Sequence, residues 1–265
     1  MNVRPWNSRW RRAASLRLLA GAVVAASLTA FGWSVRTAQP AITRAAAHPR
    51  AARPSPSSST QELVERMLAR VLRAPEFHSR LVITRSDPFG GPAERTTGMI
   101  WFLPGRGLRF RSEERAGEDI VADREKGTFQ VYRPSEGILY KAEWDRAPAR
   151  LRQLVQEPER ILDADYRAVK ERRLVAGAWR EGYRLHRASL GDSLPDVSVW
   201  VAPDPKSGLP RWVSAGGEDD SVEVEFGSIA ILPKANPRDL IMNLPRRVRT
   251  QPLDPRDLLP GGESR

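Results

Sequence analysis

The sequence contains no cysteine and only three histidines. No disulfide, thiolate nucleophile or lipid-modified cysteine can therefore exist in the chain. His48, His78 and His186 fall in separate stretches without metal-ligand spacing, and no glycine-rich phosphate loop is present. Acidic residues are missing altogether from residues 1–53, which carry nine arginines. That segment explains most of the formal charge of +11, because the remainder holds 34 basic and 32 acidic residues, about +2 net. A nucleic-acid domain keeps its basic stripe in the folded part, so this balance speaks against one.

Long apolar runs are also scarce. The one that stands out is LLAGAVVAASLTAFGWSV, residues 18–35, preceded by Arg4, Arg9, Arg11, Arg12 and Arg17. Eighteen helical residues span roughly 27 Å, just short of a ~30 Å bilayer core. Flanking arginines stay cytoplasmic, which sends everything after Val35 outward. The segment reads as a signal peptide or an uncleaved inner-membrane anchor, and both stay open. Ala45-Ala46-Ala47 suits a peptidase but lies far from the apolar run, and Arg11-Arg12 lacks the rest of a twin-arginine pattern. Residues 36–58 mix Pro, Ala, Arg and Ser without periodicity and read as a flexible tether.

What the chain has in quantity is short elements. Ser59-Thr60-Gln61-Glu62 is a capping-box pattern opening a helix. Leu63, Val64, Met67, Leu68, Val71 and Leu72 follow at helical spacing, and Pro75 closes it. Strands are expected at 77–85, 96–103 and 107–114, the last pair joined across Pro104-Gly105-Arg106. In the third, Leu108 and Phe110 alternate with Arg109 and Arg111, giving one dry and one wet face. The stretch 117–144 adds three more strands, divided by turns at 124–127 and 134–137. A helical patch over 148–165 carries Leu151, Leu154, Val155, Ile161 and Leu162. Five further strands follow between residues 166 and 232, with Val197, Val199 and Val201, then Val222, Val224 and Phe226, as alternating apolar faces. About eleven strands at this spacing predict a mainly β fold: a curved antiparallel sheet, or incomplete β-barrel, with helices as a lid. Residues 251–265 are turn-rich and read as a loose tail.

Catalytic constellations are thin. Asp163 with Asp165, and Glu218-Asp219-Asp220, read as solvated turn carboxylates. Gly191-Asp192-Ser193-Leu194 spells the nucleophile block of an esterase family, but no histidine follows His186 to serve as its base. The block reads as turn chemistry before Pro195. Trp101, Trp144, Trp179, Trp200 and Trp212 fall in or beside strands, where aromatics are ordinary sheet-face residues. No enzyme and no cofactor are expected. One or two helical patches cannot cover so wide an apolar sheet face, so part of that face is expected to form an open cavity.

In order and spacing, residues 60–250 resemble the periplasmic lipoprotein-carrier superfamily, the LolA/LolB-like fold. The opening helix followed by PEFHSRLVITR is similar to that family's first helix and strand. GMIWFLPGRGLRFR, DIVADREKGTFQVYRP and LIMNLPRRV resemble its later segments. The resemblance implies an extracytoplasmic carrier domain over residues 59–250, binding acyl chains of lipoproteins or lipids without catalysis. Envelope donor and acceptor proteins are its implied partners. The cavity lining it implies is Leu63, Met67 and Val71 from the lid, with Leu81, Ile83, Ile100, Phe102, Leu108, Phe110, Val131, Tyr140, Val199, Val224 and Phe226 from the strands. At ~0.8 kcal/mol per CH₂, a chain of ~16 carbons holds to a membrane by more than ~10 kcal/mol. A carrier must match that affinity and still release. Leu103 stands where the carriers place a basic residue that ties lid to barrel. The alternative is a regulatory protein resembling RseB/MucB, which senses lipid and binds an anti-sigma factor. Only about fifteen residues follow Thr250, short of the second domain such proteins carry.

Overall fold

A computed structural model describes residues 58–86, 91–147, 149–158, 166–187, 198–216 and 221–253. The leader, the tether through residue 57, Ile161, Leu162, Asp163, Asp165, the 191–194 block, Glu218–Asp220 and the tail beyond Leu253 lie outside the described residues. Helix α1 (Ser58–Leu72) leads into a six-strand meander: β1 (Glu76–Arg85), β2 (Glu94–Leu103), β3 (Gly107–Ser112), β4 (Asp119–Asp123), β5 (Thr128–Arg133) and β6 (Ile138–Glu143). A 3-10 turn at Trp144–Arg146 and helix α2 (Ala149–Gln156) separate it from a second meander. That one comprises β7 (Tyr166–Val175), β8 (Ala178–Arg187), β9 (Ser198–Pro203), β10 (Pro210–Gly216) and β11 (Ser221–Phe226). Strand β12 (Ala230–Leu232), a 3-10 turn at Pro237–Leu240 and β13 (Arg249–Pro252) follow.

All thirteen strands belong to one sheet, in the order β13-β6-β5-β4-β3-β2-β1-β11-β10-β9-β8-β7 with β12 also on β1. The two end strands do not pair with each other, so the curved sheet is an incomplete barrel. The two meanders meet at β1, which pairs β2 along one edge and β11 then β12 along the other.

Two strands exceed the sequence expectation. Residues 221–232 divide because Gly227 leaves the ladder, its N–H donating to the Arg80 carbonyl at 2.7 Å, so that β12 takes over lower on β1. Strand β13 has no apolar alternation and is wholly exposed, yet it adds to β6 in parallel. The sheet is therefore antiparallel everywhere except at this edge. Leu253 is 2% exposed and donates its N–H to the Lys141 carbonyl, so residues 251–253 belong to the sheet rather than to a loose tail.

Period-two alternation puts one row of apolar side chains across each half of the concave face. In the first half, Ile100, Phe110, Ile120, Val131 and Tyr140 stand opposite one another on five consecutive strands. In the second, Val224, Val213, Val201 and Tyr183 do the same. Gly98 is needed beside the first row: a Cβ there would stand 2.6 Å from the Phe110 ring and from the Arg111 carbonyl oxygen. The backbone contact cannot yield, so this position admits only glycine without a shift of β3.

Candidate apolar site on the concave face

Helix α1 buries Val64, Met67, Leu68, Val71 and Leu72, and α2 buries Leu151, Leu154 and Val155, all in one cluster with the inner sheet face. Twelve of the fourteen residues expected to line a cavity are buried in that cluster, from Met67 and Val71 through the strand positions to Val224 and Phe226. Tyr140 is half-buried at its margin, its hydroxyl donating to Glu136 at 2.6 Å. Leu63 is 38% exposed, because it lies on the helix flank turned from the sheet.

Among the described residues, the helices fill the hollow expected from the sequence. A cavity of about 20 Å³ lies between α1, α2 and the central strands. Val71, Ile100, Phe102 and Phe226 line it, joined by Leu68, Phe77 and Leu154. That is room for about one water.

Polar contacts also tie the helices to the sheet. The Gln61 side chain accepts from the Ala168 backbone N–H at 3.0 Å, capping the free edge of β7. Arg70 Nη1 donates to the Ser207 carbonyl at 2.8 Å, in the turn between β9 and β10. Helix α2 is tied by the Gly105 N–H, which donates to the Val155 carbonyl at 2.8 Å. Leu103 points to the convex side and packs with Val121 and Leu240.

The convex face is less polar than the alternation implied. Arg109, expected on a wet face, is 5% exposed. Its guanidinium donates to both Asp119 oxygens at 2.9 and 2.6 Å and to the Ile241 carbonyl at 2.5 Å, beside the Trp101 ring. Glu76 is fully buried on β1 and accepts from the Asn236 N–H at 2.6 Å. Together they hold the segment 236–241 across the strands. A groove of about 320 Å³ lies farther along the same face, lined by Trp200, Trp212, Val82, Val175 and Ser214. Of the tryptophans, Trp200 is wholly buried, Trp101, Trp144 and Trp212 are half-buried, and Trp179 is 65% exposed.

Burial, with the neighbouring Asp239 carboxylate, raises the Glu76 pKa above the ordinary carboxylate value against the lowering effect of Asn236. A raised folded-state pKa gives stability that is present below the unfolded pKa and is lost as pH rises through the folded one. Glu76→Gln removes that loss. The variant's melting temperature is expected to gain on the parent as pH climbs from about 4 to 7, read by thermal unfolding in parallel buffers; a constant offset would refute the linkage.

Among the described residues no cluster of three His, Asp or Glu is placed to hold a metal, and no helix is long and apolar enough to cross a membrane. No family model matches the chain, and no curated protein does. Solved structures with a similar fold include LprF from Mycobacterium bovis, at 12% identity, covering 69% of this chain and 99% of that one, with a TM-score of 0.42. A LolA superfamily protein from Nitrosomonas europaea is similar at 9% identity over 69% and 97% of the two chains, TM-score 0.36. The MucA/MucB complex of Pseudomonas aeruginosa is similar at 15% identity over 70% of this chain and 62% of that one, TM-score 0.40. These are likenesses of chain path, and function is read below from this chain's own residues.

Proposed function

We propose that the protein is an extracytoplasmic carrier that takes acyl chains of lipoproteins or lipids onto the concave face when α1 lifts. The observation that supports this most is a continuous apolar sheet face closed by an amphipathic helix, which Gln61 and Arg70 clasp by hydrogen bonds to a strand and a turn beneath it. The energies of exchange are close. Five buried α1 side chains at roughly 2 kcal/mol each contribute about 10 kcal/mol. An acyl chain of ~16 carbons gains a similar amount at ~0.8 kcal/mol per CH₂. Replacing one by the other is nearly neutral, which is what a carrier that must both load and unload requires. The export signal expected at residues 1–35 supports a site of action in the periplasm or envelope, and no step in this function needs catalysis or a cofactor.

The test uses the full chain and a lipopeptide with a photoreactive acyl group. Cross-links are expected on α1 and on the strands around Ile100, Phe102 and Phe226. The clasp variant Gln61→Ala/Arg70→Ala lowers the cost of opening by about 1 kcal/mol per hydrogen bond, about 2 kcal/mol in all, so capture at limiting probe should rise roughly thirtyfold. Cross-links confined to residues 18–35, or capture indifferent to the clasp, would sink the proposal. Release of the captured lipopeptide to acceptor vesicles separates a carrier from a sensor that keeps its ligand.

A further inference from the structure

The near-neutral charge of the folded part conceals a partition. The β7–β8 hairpin, residues 166–187, holds seven basic and two acidic residues, a net +5. Everything else after residue 53 holds 27 basic and 30 acidic residues, a net −3. Both hairpin carboxylates are already engaged, Glu171 by Arg184 and Glu181 by Lys170. Arg172 faces the same Glu181 across the strands, so one carboxylate is shared by two cations, and Arg173 faces Arg180.

The same hairpin carries the two most exposed large apolar side chains among the described residues. Leu174 is 53% and Trp179 65% exposed, and they stand directly opposite each other in the strand register. Strand β8 is paired by β9 only at Tyr183, Arg184 and Leu185, so residues 170–182 overhang the ladder; Val175, buried with Trp200, and Arg180, over the Trp212 ring, anchor one face of the overhang and leave the Leu174 and Trp179 side chains exposed. Along β7 the concave-side positions go from buried Tyr166 and Ala168 to exposed Lys170, Arg172 and Leu174. A tight turn ends the overhang, with Ala176 and Gly177 at φ of 50° and 76°.

We infer that the β7–β8 hairpin tip docks on an anionic membrane surface, Trp179 and Leu174 entering the interfacial zone while Arg172, Arg173 and Lys170 meet the headgroups. Tryptophan favours the bilayer interface, where its ring is buried and its N–H stays wet. Basic side chains beside it each strengthen binding to anionic lipid about fivefold. A purely phosphate-reading site would not need the apolar pair at its tip. A protein partner would more commonly cover such a pair within a larger apolar patch, whereas here charge surrounds it. The inference stands apart from acyl carriage, since it concerns the overhang and not the concave core.

The absence of cysteine makes the test clean. In the full chain, Ala178→Cys at the exposed tip takes one environment-sensitive fluorophore and leaves Trp179 and Leu174 in place. With vesicles of phosphatidylglycerol and phosphatidylcholine, the dye should shift to the blue and be quenched by bromine-labelled acyl chains. With phosphatidylcholine alone it should not. Arg172→Glu/Arg173→Glu and Leu174→Ser/Trp179→Ser should each weaken the signal at least about tenfold at unchanged melting temperature. Because the readout is the tip's own dye, attachment through residues 18–35 does not imitate it. A dye that stays aqueous on anionic vesicles, or a signal that survives both double variants, overturns the inference.

Discussion

Replacing Arg109 with alanine is expected to lower stability by about 3–5 kcal/mol, among the largest single effects the fold allows. The guanidinium is 5% exposed, forks the Asp119 carboxylate and reaches the Ile241 carbonyl. Its removal leaves a carboxylate that is itself 7% exposed without its counter-charge, beneath a segment it helped to hold. The loss comes mainly from that stranded charge. Arg109→Leu/Asp119→Leu should therefore be much milder than Arg109→Ala, because it removes both charges at once. Chemical denaturation of the three proteins checks this. A double variant as unstable as the single one would mean that the contact to Ile241, and not the ion pair, dominates.

Phe102→Ala should cost a similar amount, about 3–5 kcal/mol, with a different consequence. Phe102 is 1% exposed, packs against Phe77 with ring centroids 5.5 Å apart, and borders the residual cavity. For a domain of this size the melting temperature should drop by about 6–20 °C. Truncation also enlarges a space in the core that already adjoins the lid. The variant is thus expected to capture the acyl probe better than the parent while being less stable. Loss of stability with no gain in capture would show that the enlarged space cannot be reached by a chain, and would count against the concave face as the binding surface.

Most of this architecture was legible in the sequence because buried strands leave a period-two record. Leu108 with Phe110, and Val222, Val224 and Phe226, fixed faces correctly, and the helix stripe from Val64 to Leu72 marked the covering element. The failures have physical causes. Leu63 matches the helical period but falls at the margin of the stripe, where a small rotation exposes it. Strand β13 is called up by the free edge of β6 rather than by its own residues. Arg109 looked solvated because alternation reports a face, not what later crosses it; only the 236–241 segment makes that position dry. How fully two helices fill a hollow is a matter of volume, on which periodicity is silent.

The central place of β1 also sets an order of assembly. One edge of β1 is satisfied by β2, its immediate successor, but the other waits for β11, about 140 residues later in the register Leu81–Phe226. The six-strand meander can form from short-range contacts, whereas joining the halves is a long-range closure that comes late and slowly. Until then an apolar strand edge stands open, a template for pairing with other chains. During synthesis the interval lasts until Phe226 emerges, and the edge of β6 stays open until β13 at Arg249–Pro252. For the exported carrier proposed above, that interval falls on the far side of the membrane, so its yield would depend on what shields β1 there.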